Sequence, residues 1–345
     1  MSQVTAARTA SRTVVATQWW HVSLSTGGFD AVDGIIEELI TPLVARAQKY
    51  GAKRWYFTRS SAGACSMGGV ELSIHAHPRV LERLRSFHEA RLSTRSGTVP
   101  VHAHQYLTTP ASETYYAGGQ RMADPRLEAH LVRYGGVEGL HLAEEVLELG
   151  SELAIWAIRR FPRKQSRSAF AAVLLFDAAQ SMMAGAHSGR WTERQIAWSR
   201  YWDSHLHRCT ADAGQHAARA SEAMTARVAT KTQGFHALMV ATSSESSVQR
   251  WRRRWYRALD TYLYRAERAS VSRSAMHLTM CQAHMMLNRL GFGSGEEAAL
   301  GLYARTSAPG VSSGCGSSDL QALRLDAGRP NPRLIELPNK GQHHE

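Results

Sequence analysis

Long apolar runs, paired cysteines and the loop motifs of nucleotide and metal enzymes are all missing from this 345-residue chain. Its longest apolar stretch, Ala169 to Ala179, is interrupted by Asp177 and is about half the length of a bilayer-spanning helix. The N-terminal MSQVTAARTASRT has no apolar core of the kind a secretory signal carries, so a cytoplasmic protein is expected. The four cysteines, Cys65, Cys209, Cys281 and Cys315, form no CxxC pair and have no even spacing, so neither a zinc site nor a disulfide framework is indicated. There is no phosphate loop, no HExxH helix, no DxD pair and no dinucleotide fingerprint. These absences leave no motif that would place a metal, nucleotide or redox cofactor. His102 with His104, and His205 with His207, offer two metal ligands each, but neither pair has a third ligand at a suitable spacing. Acidic residues are scarce relative to basic ones, 29 against 41, giving a formal charge of +12. Arginine dominates that excess, which favours a partner rich in carboxylates or phosphates, either an acidic peptide or a nucleic acid.

What is present has two textures. With 43% hydrophobic residues the chain can bury a core. Thr13 to Ser25 is β-branched and aromatic, and Phe29 to Gly51 places Ile35, Ile36, Leu39, Leu43 and Val44 on one helical face. RWYFTR (Arg54 to Arg59) and VELSIHAH (Val70 to His77) read as strands around a small-residue turn; Pro78 opens a helix through Leu92, and Val101 to Leu107 alternates as a fourth strand. Strand, helix, strand, strand, helix, strand is the order of a ferredoxin-like split βαβ unit. From residue 120 to 305 helix formers take over, so the expected class is α+β, with a sheet-bearing half (13–110) packed on a mainly helical half (120–305). Residues 1–12 and the Gly, Ser and Pro-rich 306–345 read as tails.

The stretch Met276 to Tyr303 is unusual, because His284, Asn288 and Arg289 interrupt an apolar helix before Gly291, Gly293 and Gly295 break it. His284 and Asn288 share one helical face, and two readings stand: polar core residues that satisfy each other, or the wall of a site. Asp177, inside AFAAVLLFDAAQ, is either exposed at a kink, paired with an arginine, or functional. The helix Val248 to Ala269 carries the apolar stripe Trp251, Trp255, Leu259, Tyr262 and Ala266, with rows of arginine on its other faces.

Four blocks together carry a family resemblance: RWYFTR, VELSIHAH, DPRLEAHLVRYGGVEGLHLAEEV (Asp124 to Val146) and AHMMLNRLG (Ala283 to Gly291). The chain resembles the thiopeptide-type bacteriocin biosynthesis domain, the glutamate-elimination domain of class I lantibiotic dehydratases in fused or free-standing form. In eliminating members the second of these strands ends Pro-His-x-Arg-x-Arg, whereas here Gly69 to His75 contains no arginine. The resemblance therefore implies the free-standing pyridine synthase branch. Such enzymes join two dehydroalanines of a modified precursor peptide in a formal aza-Diels-Alder cycloaddition, then lose water and the leader peptide, without a cofactor. It further implies Tyr303 as hydrogen-bond donor or acid, Ser272 or Ser274 as an orienting group, His284 as a proton shuttle, and Glu89 and Asp177 as further acids. Arg252, Arg253, Arg254 and Arg257, with Asn288 and Arg289, are expected to bind the precursor and its acidic leader. Other pathway enzymes are possible partners, and no membrane is expected. The competing readings are glutamate elimination from glutamylated Ser or Thr and, resting on charge alone, a basic RNA-binding module, for which no nucleic-acid motif is present.

Overall fold

The computed structural model describes residues 16–28, 31–62, 67–95, 100–110 and 125–307. Strands β1 (Gln18–Thr26), β2 (Arg54–Ala62), β3 (Met67–Ala76) and β4 (Val101–Thr108) form one sheet in the order β2-β3-β1-β4, every neighbour antiparallel. The connection β1 to β2 carries helix α1 (Val32–Ile35), a π turn (Ile36–Ile40) and helix α2 (Thr41–Lys49); β3 to β4 carries α3 (Pro78–Ser93). This is the expected split βαβ arrangement. Register explains why the alternation in these strands was readable. Trp20 pairs with Ile74, which pairs with Trp55; Val22 pairs with Leu72, which pairs with Phe57. All six lie on one buried face, covered by the helices of the two crossovers. The opposite face carries Trp19, His21 and Ser23 against His75, Ser73 and Glu71.

The helical half follows as α4 (Pro125–Tyr134), α5 (Val137–Arg160), α6 (Lys164–Ala184), α7 (Trp198–Thr210), α8 (Ala217–Ala229), α9 (Thr232–Ser244), α10 (Ser246–Arg268), α11 (Ala275–Leu290) and α12 (Ser294–Arg305). The RYGG block is the sharp corner between α4 and α5: Gly135 and Gly136 have φ of 79° and 105°, which side-chain-bearing residues rarely adopt. Helix α6 is buried nearly all round, and α10, α11 and α12 pack along it, with the Trp251 and Trp255 stripe turned inward as its spacing predicts. Residues 193–197 form the end of a short 3-10 turn and an irregular approach to α7.

The two halves are joined at the outer edge of β2, where a strand would normally leave backbone groups unpaired. Ser151 Oγ of α5 accepts from the Phe57 amide (3.1 Å), and Arg289 Nε of α11 donates to the Phe57 carbonyl (2.7 Å). Asn288 accepts from the Arg59 amide and donates to the Arg59 carbonyl, both at 2.9 Å. Arg289 is 1% exposed and also bonds Ser151 Oγ and the Met285 carbonyl. These contacts correct the expectation that Asn288 and Arg289 face a peptide: both are spent on closing the sheet edge.

Asp177 and Arg252 are corrected in the same way. They are 1% and 0% exposed, and Arg252 Nε and Nη2 donate to the two carboxylate oxygens of Asp177 at 2.8 and 2.7 Å. This bidentate pair ties α6 to α10 inside the core, so neither residue is placed to meet a peptide. Burial pushes the Asp177 carboxyl above its usual range, and Arg252 opposes that shift. Of the expected basic row, Arg254 and Arg257 are exposed and Arg253 is half-buried; Arg254 stacks over Trp251 and pairs with Glu152 at 3.1 Å.

Candidate active site

Of the expected catalytic residues, His284 borders a small, partly open cavity. Helix α11 exposes it partly because the apolar stripe formed by Met280, Leu287 and Leu290 turns inward, and Gly291, in the left-handed region at φ 88°, ends the helix one turn later. The chain then re-enters α12, whose first turn carries Glu296 and Glu297. Glu296 closes that helix end by accepting from the Gly293 amide (2.9 Å), whereas Glu297 turns inward to 2% exposure. The imidazole Nδ1 of His284 lies 2.7 Å from Glu297 Oε2, and Nε2 of His205, from α7, lies 3.4 Å from Glu297 Oε1. Burial alone would raise the Glu297 carboxyl, but hydrogen bonds from His205 and His284 outweigh it and hold the group at about 2. Glu297 is thus a fixed anion that orients both imidazoles, leaving His284 Nε2 as the ring nitrogen available to a ligand.

The cavity has a volume of about 200 Å³ and is lined in part by His284, Glu297, Cys209, Cys281, Arg133 and Arg208. Cys281 Sγ lies 3.3 Å from His277 Nε2 and 3.3 Å from Arg208 Nη2. Burial raises this thiol, yet the His277 hydrogen bond and the Arg208 charge lower it by more, so it ionises more readily than an ordinary cysteine. His277 is raised in turn, chiefly by its bond to Cys281. Arg133 donates to Met285 Sδ at 3.2 Å, a weak acceptor that leaves its charge uncompensated by any carboxylate in the described contacts. The arrangement is a small polar chamber, with Arg133, Arg208 and Asp212 on its wall and the buried Glu297 carboxylate behind two imidazoles, suited to holding a polar carbonyl and exchanging protons with it.

The remaining expected residues are not brought to this chamber. Tyr303 lies further along α12, 8% exposed, its ring stacked on Phe235 at 4.0 Å between centroids. Burial raises its phenol, and it is absent from the chamber wall. Ser272 is exposed, donates to the Gly135 carbonyl (3.3 Å) and borders a larger, more open cleft of about 480 Å³ beside Trp191 and Arg273. Ser274 caps α11 by accepting from the His277 amide. Glu89 is exposed on α3 and accepts from Gln105 (3.4 Å). His102 and His104 are exposed on β4; His205 and His207, two apart on a helix, point to different sides, one buried and one exposed. The residues that sequence reasoning missed are Glu297, Cys209, Cys281, Arg133 and Arg208. Glu297 is disguised as a first-turn helix acid, and the others come from α4, α7 and α11, which only tertiary structure brings together.

The polar face of the sheet is a closed network. His21 sits 2.9 Å from Ser73 Oγ and 3.0 Å from Thr108 Oγ1 and stacks on Tyr106; Tyr106 donates to Glu71 (3.0 Å), which also pairs with Arg126 (3.1 Å). Glu71, Ser73 and His75 alternate along β3 on this face.

Comparison with known proteins places these features in context. The family described as lantibiotic biosynthesis dehydratase C-term matches residues 19–307. Two solved structures are similar in fold, and a third aligns more weakly. The pyridine synthase TbtD from thiomuracin biosynthesis aligns at 16% identity and a TM-score of 0.53, covering 85% of this chain and 98% of that one. TsrL aligns at 15% identity and a TM-score of 0.51, covering 92% and 100%. The tRNA-dependent lantibiotic dehydratase MibB from Microbispora sp. 107891 aligns at 19% identity and a TM-score of 0.49, covering 84% of this chain and 28% of that one. The chain therefore spans under a third of the dehydratase it matches. No curated protein matches the sequence. Among the described residues no helix is long and apolar enough to cross a membrane.

Proposed function

Because the chain belongs to the lantibiotic biosynthesis dehydratase C-terminal family, we propose that it is a pyridine synthase acting on a ribosomally made, dehydrated and azole-bearing peptide. One dehydroalanine reacts as a 2-azadiene in its iminol form and a second as dienophile; the six-membered ring then aromatises by losing water and the leader peptide as an amide. The observation that carries the reading is the composition of β3. Where eliminating members place two arginines for a departing glutamate, this strand presents Glu71, Ser73 and His75, and the first two are engaged by Tyr106, Arg126 and His21.

Ring closure needs two distant parts of a flexible chain held together, and positioning of that kind can supply roughly 7–11 kcal/mol of the barrier. His284, oriented by Glu297, is the group that exchanges protons with the amide oxygen and the leaving groups. Arg253, Arg254 and Arg257 on α10 bind an acidic leader, so leader affinity should fall as salt is raised.

The test is intact-mass spectrometry of the purified protein with a synthetic leader-bearing peptide that contains two dehydroalanines and thiazoles. The expected result is a free leader amide and a product lighter by that leader and one water. Inertness toward that peptide, with glutamate released from a glutamylated one, would replace this reading with elimination.

A further inference from the structure

Three donor atoms of different elements converge behind the chamber wall in a way that ring closure does not require. His205 and Cys209 are four apart on α7, so both project from one side of that helix. Glu297 reaches the same point from α12. His205 Nε2 lies 3.8 Å from Cys209 Sγ and 3.4 Å from Glu297 Oε1, and all three ligand atoms lie within 4.8 Å of one another. A tetrahedral zinc ion with ordinary bond lengths sets its nitrogen and oxygen ligands about 3.3 Å apart and its nitrogen and sulfur ligands about 3.6 Å apart. The two measured separations exceed these by only a few tenths of an ångström.

Two further features have the form of a built metal site. Glu297 uses one oxygen toward His205 and gives the other to His284 Nδ1 at 2.7 Å, the outer hydrogen bond that orients a ligating carboxylate. Gly301, one turn beyond Glu297 on α12, leaves room for the His205 ring: a Cβ there would lie 2.5 Å from His205 Cε1 and 2.6 Å from its Nδ1. The glycine lets the imidazole stand where it meets Cys209 and Glu297 together.

We propose that His205, Cys209 and Glu297 bind a zinc-class divalent cation, with His284 as the orienting partner of Glu297. One nitrogen, one sulfur and one oxygen ligand suit a borderline ion such as zinc better than magnesium or calcium, which take oxygen ligands. Cys209 and Glu297 also line the chamber, so a fourth position is open to it for water or a substrate carbonyl. The cation site and ring closure share Glu297 and His284 but fail separately: a metal-free protein that forms the pyridine removes the site and keeps the synthase, and a metal-binding protein that forms no pyridine does the reverse.

The experiment uses the full chain, purified without chelator, for zinc content, and then cobalt(II) added to the metal-stripped protein. About one zinc per chain is expected, and the cobalt form should show the visible bands of a tetrahedral ion with thiolate-to-cobalt charge transfer. Cys209→Ser should abolish the charge-transfer band while Cys281→Ser keeps it. His284→Ala, which removes no ligand, should weaken zinc affinity about 10–100-fold. Circular dichroism of each variant separates lost binding from lost folding; should Cys209→Ser not fold, the His284→Ala affinity decides. Absence of both zinc and cobalt uptake by the wild-type chain overturns the site. A charge-transfer band that survives Cys209→Ser or vanishes in Cys281→Ser overturns it as well.

Discussion

Asn288 grips Arg59 by both of that residue's backbone groups, accepting from its amide and donating to its carbonyl at 2.9 Å each. A side-chain amide here does what a neighbouring strand does elsewhere in the sheet. Arg59 is drawn into the same junction by its side chain, which donates to the Arg289 carbonyl at 2.8 Å and pairs with Asp33. Asp33 also receives Arg167 at 2.6 Å.

Asn288→Ala leaves two backbone groups of β2 without partners, at a cost of about 1–3 kcal/mol. Urea unfolding should show a lower midpoint with an unchanged slope. An unaltered midpoint would mean that water replaces the amide without loss and that Asn288 is free for another task.

Arg252→Ala strands the buried Asp177 carboxylate and should cost about 3–5 kcal/mol, whereas the double change Asp177→Leu with Arg252→Met should restore most of the loss. Unfolding of the two single variants and the double variant measures this. Were Arg252→Ala to remain as stable as wild type while leader affinity fell, the pair would have to open in solution.

His284→Ala should lower turnover of the dehydrated peptide by about 10²–10⁴-fold, the range of a positioned acid or base. Tyr303→Phe, altering a ring stacked on Phe235 away from the chamber, should stay within a few-fold of wild type. The opposite ranking in single-turnover rates would return the proton-donor role to Tyr303.

His75 gives the stability a pH dependence of known sign. Its ring stacks on Trp19 at 4.8 Å, its Nε2 is buried without a partner, and burial, helped by Lys53, His141 and Arg54, lowers its pKa to about 4. An unfolded histidine titrates near 6.5, so between these values the unfolded chain binds the extra proton. Stability should fall as pH drops from about 6.5 to about 4 and gain nothing further from this residue below that. His75→Phe keeps the stack and should flatten that part of the curve; an identical slope in thermal denaturation across the window would assign the dependence elsewhere.

The sheet was legible because its alternation is strict: Trp20, Val22 and Leu24 face the core, and their partners Ile74, Leu72 and Val70 do the same. Gly135 and Gly136 marked a corner for the plain reason that φ is positive there. The site was less legible. His284 could be singled out as a polar residue in an apolar helix, but the same anomaly drew attention to Asn288 and Arg289, and sequence offers no way to tell a residue that seals a strand edge from one that faces a ligand. Asp177 and Arg252 lie 75 positions apart, so pairing was foreseeable and the partner was not. His205 looked like one half of a His205–His207 pair because spacing was counted along the chain; on a helix its neighbour in space is Cys209.

The closed edge of β2 has a bearing on how this protein can be cut and rebuilt. Four hydrogen bonds to Phe57 and Arg59 come from helices that lie more than 90 residues downstream, so residues 16–110 expressed alone would carry a bare, aromatic-rich strand border open to pairing with another copy. The sheet is no detachable module. Its margin is completed only when α11 arrives with Asn288 and Arg289, which makes the N-terminal half dependent on synthesis of nearly the whole described chain.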